Sequence, residues 1–182
     1  MRNTARFAPF AAVLTLSACT TLVPTGGAPE RGVDTIRDDL TTAVLAFDTP
    51  AAVQPVAERS RLSVTLALPG SPPRVIEAGL VLADADLDEG ALPPPAKDRA
   101  YFLLQLAAKD RAVLKAAQQS AATAPVGVAT VTVSLAPGFC QVGPLGNGRY
   151  SVRVILPGQV GPLTPLVADQ PVSPTGQPLP SC

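Results

Sequence analysis

The chain has 182 residues, 14 basic and 14 acidic side chains and no histidine. That length is enough for one domain with a buried core. The missing histidine takes away the commonest general base and the commonest nitrogen ligand for metals. No basic patch stands out, so nucleic acid and anionic lipid headgroups are poor partners.

Charged residues are 15 % of the chain and apolar residues 47 %, but only 4 % are aromatic. A core of Ala, Val and Leu suits thin layers of β-sheet. The 21 prolines and 14 glycines fall between apolar runs, where they act as loop punctuation.

Arg2 and Arg6 open the chain, followed by an apolar run from Phe7 to Leu16 that holds Pro9. Ten residues make about 15 Å of helix, half of a bilayer core, so the run is too short for a permanent span. Leu16-Ser17-Ala18-Cys19 closes it. An aliphatic residue, two small residues and a cysteine after a basic and then apolar start resemble the lipobox of bacterial lipoproteins. The resemblance implies that residues 1–18 are a removed signal peptide. It also implies that Cys19 carries diacylglycerol and a further acyl chain such as palmitate. Thr20, where an aspartate commonly marks inner-membrane retention, implies the periplasmic side of the outer membrane.

Residues 19–32, rich in Pro and Gly, are expected to be the lipidated cysteine and a flexible tether. Thirteen residues reach about 43–47 Å at most and average about 20 Å as a coil. Residues 33–182 are then a single periplasmic β-rich domain with a Pro/Gly-rich C-terminal tail.

Val33, Ile36, Leu40, Ala43, Val44 and Phe47 recur at helical spacing, with Asp34 or Thr35 to cap the start and Asp48-Thr49-Pro50 to end it. The second half, from Thr42 to Phe47, also fits a buried strand. Strict alternation predicts strands over Arg61–Leu68 and Arg74–Leu82, with Leu62, Val64, Leu66, Leu68, Ile76, Ala78, Leu80 and Leu82 inward. Pro69–Pro73 joins them as a loose hairpin. Ala100–Leu106 is apolar but for Gln105, which predicts a central strand.

Lys109–Ala122 predicts an amphipathic helix whose apolar stripe is Val113, Leu114, Ala117 and Ala121, with Gln118 on the polar side. Ala129–Leu135 and Arg149–Leu156 alternate again and are expected to pair through a turn at Gly146-Asn147-Gly148. Leu163–Val167 could add an edge strand, since Pro165 suits only an edge. The expected fold is α+β, mainly β: an antiparallel sheet or small β-sandwich with one or two packed amphipathic helices.

With Cys19 assigned to lipid, Cys140 and Cys182 are an even pair in an oxidising compartment, and a disulfide is expected. It would close a loop of about 43 residues and contribute about 4 kcal/mol. Two free thiols are the alternative, and a nucleophilic Cys140 would lack a histidine to activate it. Asp84, Asp86 and Asp88, followed by Glu89 and Gly90, resemble the start of an EF-hand-type calcium loop. The glycine, however, is one place late, and Pro95 stands where the bidentate glutamate belongs. A solvated acidic loop is the plainer reading.

Tyr101 and Tyr150 fit a core face better than a ligand anchor, and Arg149 and Arg153 fit a solvated strand face. No nucleophile elbow, phosphate loop or dinucleotide fingerprint is present. The sequence therefore points to a non-catalytic, lipid-anchored interaction or scaffold module without a cofactor. Its partners would be the membrane and another envelope protein. A small-molecule or lipid-binding β-sandwich is the alternative.

Overall fold

The computed structural model describes residues 20–21, 33–84, 92–125, 129–145, 148–158, 165–174 and 176–182. Its strands are β1 (Thr20–Thr21), β2 (Val44–Pro50), β3 (Val53–Pro55), β4 (Arg61–Ala67), β5 (Arg74–Leu82), β6 (Arg99–Leu106), β7 (Thr130–Ala136), β8 (Phe139–Gln141), β9 (Arg149–Ile155) and β10 (Pro165–Pro171). Among the described residues one α-helix, α1 (Ala108–Ala122), follows β6.

Eight strands form one antiparallel sheet in the order β1-β7-β4-β5-β6-β2-β9-β10, and β3 pairs with β8 in a separate ribbon. The fold is α+β and mainly β, as the alternation of apolar residues implied. Leu62, Val64 and Leu66 of β4 and Ile76, Ala78 and Leu80 of β5 are all buried. Ser63 and Thr65 turn to the other face, where they pair with Ser134 and Thr132 of β7. The β4–β5 hairpin turns at Gly70, whose φ of 72° suits a residue without a Cβ.

The sheet curls on itself. The inward residues of β7, β4 and β5 share one core with those of β2, β9 and β10. Phe47, Leu104 and Leu114 are its largest fully buried members. α1 packs on β5, β4, β7 and a 3-10 turn at Leu40–Thr42. Where β6 leaves β5, Asp110 in the first turn of α1 accepts a hydrogen bond from the Gly79 amide at 2.8 Å. That bond satisfies a strand donor that has lost its neighbour.

Several expectations are corrected. Val33–Phe47 is not a helix. Asp34 caps only a turn, accepting from the amides of Ile36 and Arg37, and Asp39 caps the short 3-10 turn. Val44 then starts a strand that continues through Asp48 and Thr49 to Pro50. β2 lies between β6 and β9 and is buried on both faces over Val44–Phe47. A strand covered on both faces reads as a continuous apolar run, so its spacing also fits a helix.

The strands β7 and β9 do not pair with each other. β7 pairs with β4 and β1, and β9 with β2 and β10. Their alternation was right and their partners were not, because alternation fixes a face and not a neighbour. The Gly146-Asn147 part of the expected turn lies outside the described residues.

Leu82, expected inward, is 67 % exposed because β5 runs past the end of β4 there. On α1, Leu114, Ala117 and Ala121 are buried as expected, while Val113 is exposed and Gln118 is buried, against expectation. Thr20 and Thr21, expected in the tether, form β1 on the edge of β7.

The C-terminal edge strand is present as β10. Its register to β9 shifts twice, and Asp169 sits there at φ 42°. Aspartate tolerates this left-handed conformation better than most residues.

Candidate functional site

The core is closed differently at the two ends of β2 and β7, which run in the same direction. At their starts, residues 33–43 are held against α1. The Gln118 amide donates to the carbonyls of Thr35 (3.0 Å) and Asp38 (2.8 Å). Thr35 in turn donates to the Val131 carbonyl of β7. The Lys115 ammonium donates to Asp39, and the Thr41 hydroxyl does so at 2.6 Å. The Lys115 bond and then the Thr41 bonds pull the Asp39 carboxyl down to about 2.

At the exits of β2 and β7, the β3–β8 ribbon and the tail close the core. Cys140 is buried on β8 and disulfide-bonded to Cys182, 42 residues on, with Cα atoms 5.0 Å apart. The tail adds a parallel bridge beside β8. Gln141 donates to the Pro180 carbonyl at 2.9 Å, and the Cys182 amide donates to the Gln141 carbonyl at 3.1 Å.

Ser60 is wholly buried nearby. Its hydroxyl donates to the Val56 carbonyl (2.8 Å) and accepts from the Gly138 amide (3.0 Å). A Cβ on Gly138 would stand 2.5 Å from the Arg59 Cβ, so only glycine fits.

Above this ribbon Phe139 packs edge-on against Tyr150, with ring centroids 4.8 Å apart, and against Phe47 at 6.4 Å. Burial raises the Tyr150 phenol above its usual value. Tyr150 is thus a core residue. Tyr101 is half-buried on β6, opposite Asp48 of β2. Arg149 does not stand free on its face: it pairs with Asp169 at 2.8 Å. Arg99 binds Asp48 at 2.6 Å beside it. Arg153 is partly buried, and among the described residues its Nε has no hydrogen-bond partner.

Two spaces matter for binding. The first is a cavity of about 30 Å³ inside the core, lined by Leu40, Leu45, Leu62, Leu106, Val133 and Val154 among others. It is apolar, and pockets for small organic ligands hold roughly ten times more or above. The second is an open cleft of about 780 Å³ against the tail, where Gln141, Leu145, Arg149, Val172 and Gln177 meet.

Among the described residues no group of three or more acidic or cysteine side chains is placed to hold a metal. Asp84 is exposed at the end of β5, while Asp86 and Asp88 lie outside the described residues. Cys19 lies outside them as well. Among the described residues no helix is long and apolar enough to cross a membrane. Ser60, Asp110 and Gln118, which tie the closures together, carry no signature in sequence: each is an ordinary polar residue until its distant backbone partner is known.

The class these features define is a curled antiparallel β-domain with one packed helix and a disulfide-pinned C-terminal tail. Comparison with known protein families, with curated proteins and with solved structures finds no match.

Proposed function

We propose that the chain is a lipid-anchored envelope protein acting as a non-catalytic interaction or scaffold module close to the membrane surface. The lipobox at Leu16-Ser17-Ala18-Cys19 supports the anchor and the periplasmic side of the outer membrane. What supports a docking role over an internal ligand site is the interior. The apolar cavity among the described core residues, about 30 Å³, is too small for an acyl chain or a small organic ligand. By contrast, Val75 and Val81 stand on the outward face of β5, 59 % and 40 % exposed, and Leu82 follows at 67 %. Exposed apolar side chains on a sheet face offer apolar area that a protein partner can cover.

A photo-crosslinking residue at Val81 in the cell-envelope protein tests this. The expected result is a discrete adduct with one envelope protein that is absent when the same residue stands at Thr130. Equal or no adducts from both positions would contradict it.

One observation favours the second reading, a ligand-binding lipoprotein: the cleft of about 780 Å³ beside the tail. It is of ligand size and mixes apolar groups with one arginine. Native mass spectrometry of protein extracted from its own envelope separates the readings, because a co-purifying small molecule belongs to the second alone.

A further inference from the structure

β1 places the start of the supposed tether inside the fold. Thr20 lies in register with Leu135 and Thr21 with Ser134, antiparallel on the free edge of β7. Cys19 is bonded to Thr20, so its Cα lies within about 3.8 Å of that of Thr20. Thr20 and Thr21, expected in the tether, are therefore part of the sheet, one residue from the lipid attachment point.

From this we infer that the domain lies directly on the bilayer, with the exit end of β7 against the phospholipid headgroups. The inference rests on lipidation of Cys19. The end concerned carries Ala136, which is exposed and pairs with Arg61 at the start of β4. Strands lie about 4.8 Å apart, so Arg61 stands roughly 10 Å from the β1 position. Arg59 is beside it on the 3-10 turn at Ala57–Arg59.

Both arginines are exposed and held by backbone carbonyls. Arg61 bonds to those of Glu58 and Ser60, and Arg59 to that of Phe139. Their remaining guanidinium donors suit the phosphodiester of a lipid headgroup. The opposite end of β7, at Thr130, is six residues away, or roughly 20 Å, and would face away from the membrane.

The chain contains no tryptophan, so a single one reports depth. The full lipidated protein, as Ala136→Trp or Thr130→Trp, is placed in phosphatidylcholine–phosphatidylglycerol vesicles with a headgroup nitroxide lipid. Quenching several-fold stronger at position 136 than at 130 is expected, and Thr20→Pro with Thr21→Pro should abolish the difference. Glu58→Trp against Arg74→Trp repeats the comparison on neighbouring elements should either first variant fold poorly. Protein that floats with the vesicles but is quenched equally at both ends would overturn this inference alone. Protein that does not float would overturn the anchored reading and this inference with it.

Discussion

The two closures of the core do the same task with different materials. At the starts of β2 and β7 the cover is α1, which buries Leu114, Ala117 and Ala121 and adds polar bonds from Gln118, Lys115 and Asp110. At the exits the cover is the β3–β8 ribbon, which buries Val53 and Phe139, and a tail from which, among the described residues, only Val172 and Leu179 pack on the core. Apolar burial suffices for the first. The tail at the second has little of it, and the disulfide adds to its hold by limiting the unfolded chain. A segment rich in proline and glycine can thus be fixed in place without a core of its own.

Breaking the two ends separately sharpens this contrast. Leu114→Ala removes a fully buried side chain from the helical end and should cost about 2–5 kcal/mol, read as a lower urea midpoint. Replacing both Cys140 and Cys182 with serine should cost about 2–4 kcal/mol. It should also free the tail, so that limited proteolysis cuts first within residues 173–182. If the serine variant keeps both its urea midpoint and its protease pattern, the tail is held by something other than the disulfide.

Gly138→Ala forces a Cβ onto Arg59 and should cost about 1–3 kcal/mol. The Ser60→Ala change strands the Gly138 amide and should cost about as much, again 1–3 kcal/mol.

The smallest effect belongs to Asp39. Its carboxyl is lowered in the folded state to about 2 from 3.8. The stability it contributes is therefore present above about pH 3.8 and is lost as pH falls through about 2. The wild-type protein should lose more melting temperature between pH 5 and pH 2 than Asp39→Asn does. Because the pair is partly exposed, the difference should shrink in high salt.

Much of the fold was legible because half-buried strands announce themselves. The alternation of β4 and β5 gave their bounds to within a residue, and the largely apolar stretch at 100–106 gave a central strand. α1 was equally plain. β2 was ambiguous because burial on both faces erases the period that separates strand from helix. Pairing of β7 and β9 was out of reach because partner choice depends on curl, which no local pattern records.

The candidate site was legible unevenly. The Cys140–Cys182 bond followed from cysteine arithmetic and is present. Gln118 was hidden because its amide is buried only through carbonyls some 80 residues away in the chain.

The central claim is that lipid on Cys19 holds this domain at the membrane. The most direct test is the intact mass of the N-terminal peptide, with membrane fractionation of the wild type and of Cys19→Ser. The account predicts an acylated cysteine at the new N-terminus, in the membrane fraction. It also predicts a Cys19→Ser protein that folds but loses both acyl label and membrane association. An unmodified Cys19, or a serine variant that remains in the membrane fraction, would contradict it.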